Sequence, residues 1–345
     1  MAELIWKDKL KREDTSVNTT KTPHLITTEV INHLAENQSP LIPSASTNTE
    51  PWHNRLILGD KLHVLPALLP EFAGKINLIY IDPPFMTGRD FRSGTQLAFS
   101  DKWDNDLDFY IQWLYETFLL LHQLLAQTGS LYVHLDWRVI HYAKVLLDEV
   151  FGFSHSTGGP GFKNEIIWHY QSGGRARKHY ARKHDTILFY TRSSHYCFHA
   201  ERISERRGAG KRNHMRKSLS ADGRIHWTIK SAGRIYSYSE DALMTPSDVW
   251  SDISHLQQKD PERNGYATQK PAALIERIIL ASSEERDLIL DCFCGSGVTP
   301  IVAQQLGRRW IACDQSELAI NTTRARLLSG ESVNPFIMQH LAVSL

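Results

Sequence analysis

The hydrophobic pattern of the chain predicts strands that alternate with helices. Residues 75–82 form an apolar, β-branched run that Pro83 and Pro84 end, as expected for a buried parallel strand. Apolar residues from Ile111 to Leu125 recur at helical spacing, and Gly129 is the expected cap of that helix. Similar patterns predict strands at 130–136, 165–170, 185–191, 225–229, 234–238, 287–291 and 310–314, and helices at 139–150, from Pro271 onward and at 298–306.

This alternation predicts a doubly wound α/β fold, in which ligands bind beyond the carboxyl ends of parallel strands. The runs 165–170 and 185–191 are expected to pair as an antiparallel edge. At 192–266 the α/β regularity is lost and the chain becomes basic, which indicates an inserted module. The expected divisions are an arm or linker at 1–51, the two halves of the α/β domain at 52–191 and 267–330, the module at 192–266, and a tail at 331–345.

The composition is that of a globular protein, with 41% hydrophobic and 22% charged residues among 345 and a formal net charge of +1. No apolar stretch approaches the ~18 residues that a membrane-spanning helix needs, and the N-terminus lacks the apolar core of a signal peptide. We therefore expect a cytoplasmic protein. The four cysteines contain no CxxC pair, which argues against a disulfide framework and a cysteine-based zinc site.

The near-neutral total conceals a strongly basic segment. Residues 160–234 contain 17 Lys or Arg against 5 Asp or Glu, so the rest of the chain is acidic. Such a segment is typical of a nucleic-acid groove, although a solvated basic face is the alternative. The residues expected to contact DNA are Arg175, Arg177, Lys178, Arg206, Arg207, Lys211 and Arg212.

A glycine loop between two predicted strands indicates a nucleoside site. Gly295 and Gly297 follow the strand that ends at Asp291, and Asp314 ends the next strand, 23 residues later. This spacing is similar to that of dinucleotide sites, where an acidic side chain binds the ribose hydroxyls. The third glycine of a phosphate-binding loop is missing, so a nucleoside without phosphates, such as S-adenosylmethionine, fits better. A tight turn without a ligand is the alternative.

The second motif, Asp82-Pro83-Pro84-Phe85, directly follows the predicted strand at 75–82. An exocyclic amine of a nucleobase is a poor nucleophile because its lone pair is delocalised into the ring. The Asp82 carboxylate and the Pro83 carbonyl could accept its two hydrogen bonds, while Phe85 stacks on the base and Pro84 adds rigidity. The alternative is a strand stop in which Asp82 is only a turn residue.

Together the motifs resemble the S-adenosylmethionine-dependent DNA amino-methyltransferases of bacterial restriction–modification systems, in the permuted beta class. That class has an Asp-Pro-Pro-aromatic motif first, a target recognition region next, and then a Gln-Lys-Pro helix and a Phe-x-Gly-x-Gly loop. This chain has them in that order, with Gln269-Lys270-Pro271 and Phe293 to Gly297 as the last two. Cys292 and Val298 depart from the residues common there, Pro and Thr. The resemblance spans about 55–330.

The resemblance implies a Rossmann-like sheet with circularly permuted motifs, S-adenosylmethionine as cofactor, and 192–266 as the target recognition region. It implies that Asp314 binds the ribose hydroxyls, that Lys270 lies near the methionyl carboxylate, and that Asp82 also contacts the cofactor amine. The remaining pocket residues that it implies are Asp291, Phe293, Gly295 and Gly297. Gly59-Asp60 recurs in such enzymes, but Asp60 could equally be a helix cap. Trp168 and Tyr170 could hold the flipped base or pack at the sheet edge.

The expected reaction is N6 methylation of adenine in duplex DNA, and Asp82 favours adenine because Ser-Pro-Pro is commoner in the cytosine-N4 enzymes. The alternatives are cytosine-N4 methylation and a non-catalytic nucleic-acid-binding protein; an NAD-dependent oxidoreductase is disfavoured by the missing glycine. The expected partners are double-stranded DNA, a second copy of the chain and a cognate restriction endonuclease, with no membrane. No metal is expected, although His195-x-x-x-His199 has ligand-like spacing.

Overall fold

The computed structural model describes residues 3–7, 9, 23–32, 52–104, 106–153, 158–171, 176–206, 214–220, 223–330 and 334–342. The helices are α1 Lys61–Phe72, α2 Leu107–Leu124, α3 Ile140–Phe151, α4 Ala272–Ser282, α5 Val298–Gln305 and α6 Glu317–Leu328. The strands are β1 Leu25–Ile31, β2 Asn54–Leu58, β3 Ile76–Ile81, β4 Arg89–Ser93, β5 Gln96–Asp101, β6 Leu125–Leu135, β7 Gly161–His169, β8 His184–Thr191, β9 Glu205–Arg206, β10 Arg216–Leu219, β11 Ile225–Ser231, β12 Arg234–Ser239, β13 Leu243–Met244, β14 Val249–Trp250, β15 Leu288–Asp291, β16 Arg309–Asp314 and β17 Phe336–Leu341.

Ten of these strands form one mixed sheet, in the order β1-β17-β2-β16-β15-β3-β6-β8-β7-β14. The pairings from β17 through β6 are parallel, whereas β8 runs antiparallel to both β6 and β7. The doubly wound α/β fold and the antiparallel edge formed by β7 and β8 are therefore confirmed.

Helices cover both faces of this sheet, which explains why its central strands are almost continuously apolar. Ile79 and Ile81 of β3 pack with buried residues of α1, α2 and α3. Leu78 and Tyr80 of the same strand pack with α4, α5 and α6 on the opposite face. The strand end that carries the Asp-Pro-Pro-Phe motif is thus fixed from two sides.

The structure corrects three expectations about element boundaries. The predicted arm at 1–51 and tail at 331–345 contain β1 and β17, which pair with each other at the edge of the main sheet. The helix predicted to end at Gly129 ends at Leu124, because Leu125 is buried and already pairs with Ile76 in the sheet. Pro271 precedes α4 as its N-cap and is not its first helical residue.

The predicted module at 192–266 contains a small sheet of its own, β10-β11-β12, which includes the two predicted strands at 225–229 and 234–238. Its last strand, β14, returns to the main sheet beside β7. Arg177, Lys178 and Arg206 are exposed. Four other predicted DNA contacts lie outside the described residues: Arg175, Arg207, Lys211 and Arg212. Within the described part of the chain, each helix lacks the length or apolar character needed to cross a membrane.

Candidate active site

Three carboxylates meet at one edge of the main sheet. The neighbouring parallel strands β3, β15 and β16 end next to Asp82, at Asp291 and at Asp314, respectively. A cavity of about 440 Å³ lies at these strand ends and is lined by residues of both predicted motifs. The site residues that line it are Asp82, Pro83, Pro84, Phe85, Lys270, Asp291, Phe293, Gly295 and Asp314. The fold therefore joins two motifs that are about 200 residues apart in sequence.

The two oxygens of Asp82 have different environments. The Lys270 ammonium donates a hydrogen bond to Oδ2 over 2.6 Å. Oδ1 is buried and receives no hydrogen bond from any residue that the structure describes. Lys270 thus lies on the predicted catalytic carboxylate, and the side chain that the resemblance assigns to the methionyl carboxylate already has an anionic partner.

The rest of the Asp-Pro-Pro-Phe motif is held by neighbouring aromatic residues. The Tyr110 hydroxyl donates to the Pro84 carbonyl over 2.7 Å. The Phe85 ring lies 6.0 Å from the imidazole of His134 and 5.2 Å from the Lys270 Nζ. Phe85 is partly exposed to the cavity, so one face of a planar base could stack on it.

The glycine loop approaches the cavity through its backbone. Gly295 has a φ of +48°, and its N–H donates to Asp314 Oδ2 over 2.9 Å. A side chain at this position would come 3.3 Å from Tyr266, so the loop needs glycine. Burial raises the pKa of Asp314, and the N–H groups of Ser316 and Gly295 oppose that shift.

Gly297 has a different role from the one expected, because it does not line the cavity. It has a φ of +77° at the start of α5, and a Cβ there would lie 2.6 Å from the Thr323 side chain. This glycine is required by the turn and by packing against α6. The sequence pattern alone does not separate this requirement from ligand contact.

Asp291 is the most buried of the three carboxylates, with 3% of its surface exposed. Burial raises its pKa to about 7, and the carboxylates of Asp82 and Asp314 act in the same direction. Hydrogen bonds from Thr299 and from the Phe293 N–H partly oppose the shift. A cation bound in the cavity would favour the ionised form of Asp291.

Sequence reasoning missed Lys61, which also lines the cavity. Its ammonium is buried 3.8 Å from the centroid of the Trp113 ring, and burial lowers its pKa to about 8. Asp60 accepts a hydrogen bond from the Leu62 N–H over 2.8 Å, so the helix-cap interpretation is confirmed. Lys61 directly follows Gly59-Asp60, and that position is the only sequence signal for it.

Trp168 and Tyr170 occupy packing positions. Trp168 is buried and its indole N–H donates to the Ile253 carbonyl, which supports the sheet-packing interpretation. The Tyr170 hydroxyl donates to Asp185, which also contacts His134.

Cys197, His199 and Glu284 bring potential metal-ligand atoms within 4.8 Å of one another. However, Arg202 already donates to Glu284 over 2.6 Å, and burial raises the pKa of Cys197 to about 11. Both features disfavour a thiolate–carboxylate metal site. The expected absence of a metal stays a prediction.

Comparison with known proteins supports a methyltransferase. Over 261 residues the chain is 29% identical to the DNA adenine methyltransferase YhdJ of Escherichia coli K12, covering 75% of this chain and 77% of that protein. It is also 29% identical over 277 residues to the type II methyltransferase M.HpaI of Haemophilus parainfluenzae, covering 79% of this chain and 74% of that protein.

Solved structures share the fold. The cytosine-N4-specific PvuII DNA methyltransferase superimposes with a TM-score of 0.53 at 19% identity, covering 81% of this chain and 88% of the other. A DNA modification methylase from Thermus thermophilus, TTHA0409, in complex with S-adenosyl-L-methionine, gives a TM-score of 0.51 at 17% identity, covering 85% and 99%. At these identities the likeness concerns the fold.

A family model described as DNA methylase, of the N6/N4 type, matches residues 76–324. The match includes the Asp-Pro-Pro-Phe motif, the module and the glycine loop, so it confirms the resemblance drawn from these motifs and the cofactor it implies, S-adenosyl-L-methionine. The chain therefore belongs to the N6/N4 DNA methylase family of amino-methyltransferases.

Proposed function

We propose that this chain methylates the N6 amine of adenine in duplex DNA. The observation that carries the proposal is the position of Asp82, whose Oδ1 is a buried acceptor without a partner among the described residues. This oxygen belongs to a residue lining the same cavity as the glycine loop and Asp314. A hydrogen-bond acceptor for an amine and a nucleoside pocket are thus combined in one site.

The cavity suits S-adenosylmethionine. Asp314 faces it with a carboxylate that can accept hydrogen bonds from ribose hydroxyls, and Gly295 allows the backbone to approach closely. Asp291 and Asp82 add negative charge that favours a cationic sulfonium, and Phe293 contributes an apolar wall. Bound there, the cofactor would supply an electrophilic methyl group.

The role of Asp82 is to make the base amine nucleophilic. Asp82 and the Pro83 carbonyl accept the two N–H bonds of the amine, which localises its lone pair towards the methyl group. The base must leave the duplex to reach this site, and Phe85 provides a stacking surface for it. The new N–C bond replaces the S–C bond, and the amine then loses one proton. No covalent enzyme intermediate is needed.

Adenine is favoured over cytosine by Asp82 and by similarity to a relative that acts on adenine, YhdJ. Cytosine-N4 methylation is the second candidate, because its amine chemistry is the same and the PvuII enzyme has this fold. A non-catalytic DNA-binding role is disfavoured because both motifs line an intact cavity.

DNA contact is proposed for the exposed residues Arg177, Lys178 and Arg206, and for the basic residues between and beyond them that were singled out from the sequence. We also propose that the protein acts in the cytoplasm, self-associates and has a cognate restriction endonuclease. The last proposal is supported by similarity to M.HpaI, a type II methyltransferase.

The test is transfer of labelled methyl from S-adenosylmethionine to unmethylated genomic DNA. The digested product is separated into N6-methyladenine and N4-methylcytosine, and the Asp82→Ala variant is the inactive control. We expect the label in methyladenine with wild type and none with Asp82→Ala. Label only in methylcytosine would refute adenine specificity, and equal transfer by both proteins would refute the mechanism.

A further inference from the structure

The chain that follows the Asp-Pro-Pro-Phe motif is held by one buried carboxylate, Asp101, at the end of β5. Only 1% of Asp101 is exposed. Its Oδ1 accepts hydrogen bonds from the Met86 N–H over 2.8 Å and from the Trp103 indole over 2.9 Å. Its Oδ2 accepts from the Thr87 N–H over 2.8 Å and from the Thr87 hydroxyl over 2.6 Å. One side chain therefore anchors the two residues directly after Phe85.

These two residues need such an anchor because their backbone is strained. Met86 has a φ of +58°, a left-handed conformation that is unfavourable for a side chain other than glycine. The Gly88 N–H adds a bond to the Asp101 carbonyl over 3.0 Å. The hairpin β4–β5 thus closes on the catalytic loop through its last residue.

The motif is consequently fixed at three points. Lys270 holds Asp82, Tyr110 holds the Pro84 carbonyl, and Asp101 holds the chain after Phe85. The first two contacts act on or before Pro84. Asp101 is the contact that restrains the motif on the far side of Phe85.

We propose that Asp101 is a positioning residue for methyl transfer, which sets the place of Phe85 and so of the base that stacks on it. This inference rests on the proposed function. Because all four of its hydrogen bonds are made within the protein, Asp101 acts through the catalytic loop and does not contact substrate.

The substitution Asp101→Asn tests the proposal with little change in shape. Asparagine has one acceptor oxygen, and its NH2 group must face an N–H donor, that of Thr87 or those of Met86 and Trp103. The loop should move, and a misplacement of about 1 Å can lower a rate about 10²-fold. We expect a loss of that order in the single-turnover rate, with the cofactor dissociation constant within about twofold of wild type, since the groups proposed to bind cofactor are untouched.

Asp90→Asn is the matched control. Asp90 lies on the same hairpin and is paired with Ser100 and Lys102 near the protein surface, so the same chemical change there leaves the loop anchored. Thr87→Val is a milder second variant that removes only the hydroxyl donor to Oδ2. We expect wild-type rates for Asp90→Asn and a rate between the two for Thr87→Val.

The measurements are single-turnover methylation of a duplex that wild type modifies, calorimetric titration of cofactor, and hydrogen exchange of the peptide that contains Met86 and Thr87. Support would be a lower rate and faster exchange of that peptide in Asp101→Asn at unchanged cofactor affinity. A rate equal to that of Asp90→Asn would overturn the inference, as would a loss of rate in proportion to lost cofactor binding. If Asp101→Asn does not fold, Thr87→Val decides by the same criteria. A wild-type protein that methylates no DNA would refute the proposed function itself, and the positioning role with it.

Discussion

Replacing Asp82 with asparagine should do more than remove a charge, because Lys270 controls how the new amide is oriented. The Lys270 ammonium lies 2.6 Å from Oδ2 and is itself mostly buried. The amide oxygen must face this ammonium, so the NH2 group occupies the position of Oδ1. A donor then stands where the base amine needs an acceptor. Losing one such hydrogen bond costs about 10²–10³ in rate, and we expect at least this reduction for Asp82→Asn.

Adding Lys270→Met to that variant should restore part of the activity. Without the ammonium the amide can rotate and offer its oxygen to the amine. A neutral acceptor is worth about half of a charged one, so we expect the double variant to be about tenfold faster than Asp82→Asn alone. Lys102→Met is the control for the second substitution, because Lys102 lines the cavity but pairs with Asp90.

The assay is the single-turnover rate of methyl transfer at saturating cofactor, with thermal unfolding measured for every variant. Wild-type rates from Asp82→Asn would refute the acceptor role of Asp82. A double variant that is no faster than the single one would refute the orienting role of Lys270 and leave the acceptor role standing. Recovery with Lys102→Met as well would show that any loss of positive charge suffices.

Three further outcomes are expected. Asp314→Ala should weaken cofactor binding about ten- to a hundredfold in calorimetric titration while duplex affinity stays constant, since a charge-assisted hydrogen bond is worth roughly 1.5–3 kcal/mol; an unchanged dissociation constant would refute the ribose role. Because burial raises the pKa of Asp291 to about 7, cofactor affinity should rise with pH through that value as the carboxylate ionises, and Asp291→Asn should flatten the profile. In the ligand-free protein the same shift has the opposite sign, because folded Asp291 retains a proton that the unfolded chain releases, so its contribution to unfolding free energy falls as pH rises towards 7. Alanine at Arg206, Arg216 and Lys217 should reduce the log–log salt slope of DNA binding by about 0.9 for each phosphate that is no longer neutralised, whereas Lys75→Ala, at the opposite edge of the sheet, should leave it unchanged.

The central strands and their carboxylates could be predicted because buried parallel strands are continuous apolar runs. Asp82, Asp291 and Asp314 each end such a run, so their meeting at one sheet edge follows from the fold class. Strand β1 could not be found in this way, since Thr27, Thr28 and Glu29 give it the polar surface of an exposed edge.

The supporting contacts of the site could not be predicted either. Lys270 reaches Asp82 across 188 residues of sequence, and Asp101 reaches Met86 through a hairpin whose closure no local pattern specifies. A lone aspartate in a polar hairpin and a lysine after Gly59-Asp60 are ordinary surface residues by composition. Only tertiary packing gives Asp101 and Lys61 their buried environments.

The small sheet β10-β11-β12 pairs with no strand of the main sheet in the described part of the chain, whereas β14 rejoins that sheet beside β7. Its backbone hydrogen bonds are therefore independent of those that build the catalytic cavity. For protein engineering, this makes residues 205–244 a natural cassette, bounded by the paired strands β9 and β13. Exchanging the cassette for that of a relative should transfer the DNA sequence that is read, while the host chain keeps its methyl-transfer chemistry.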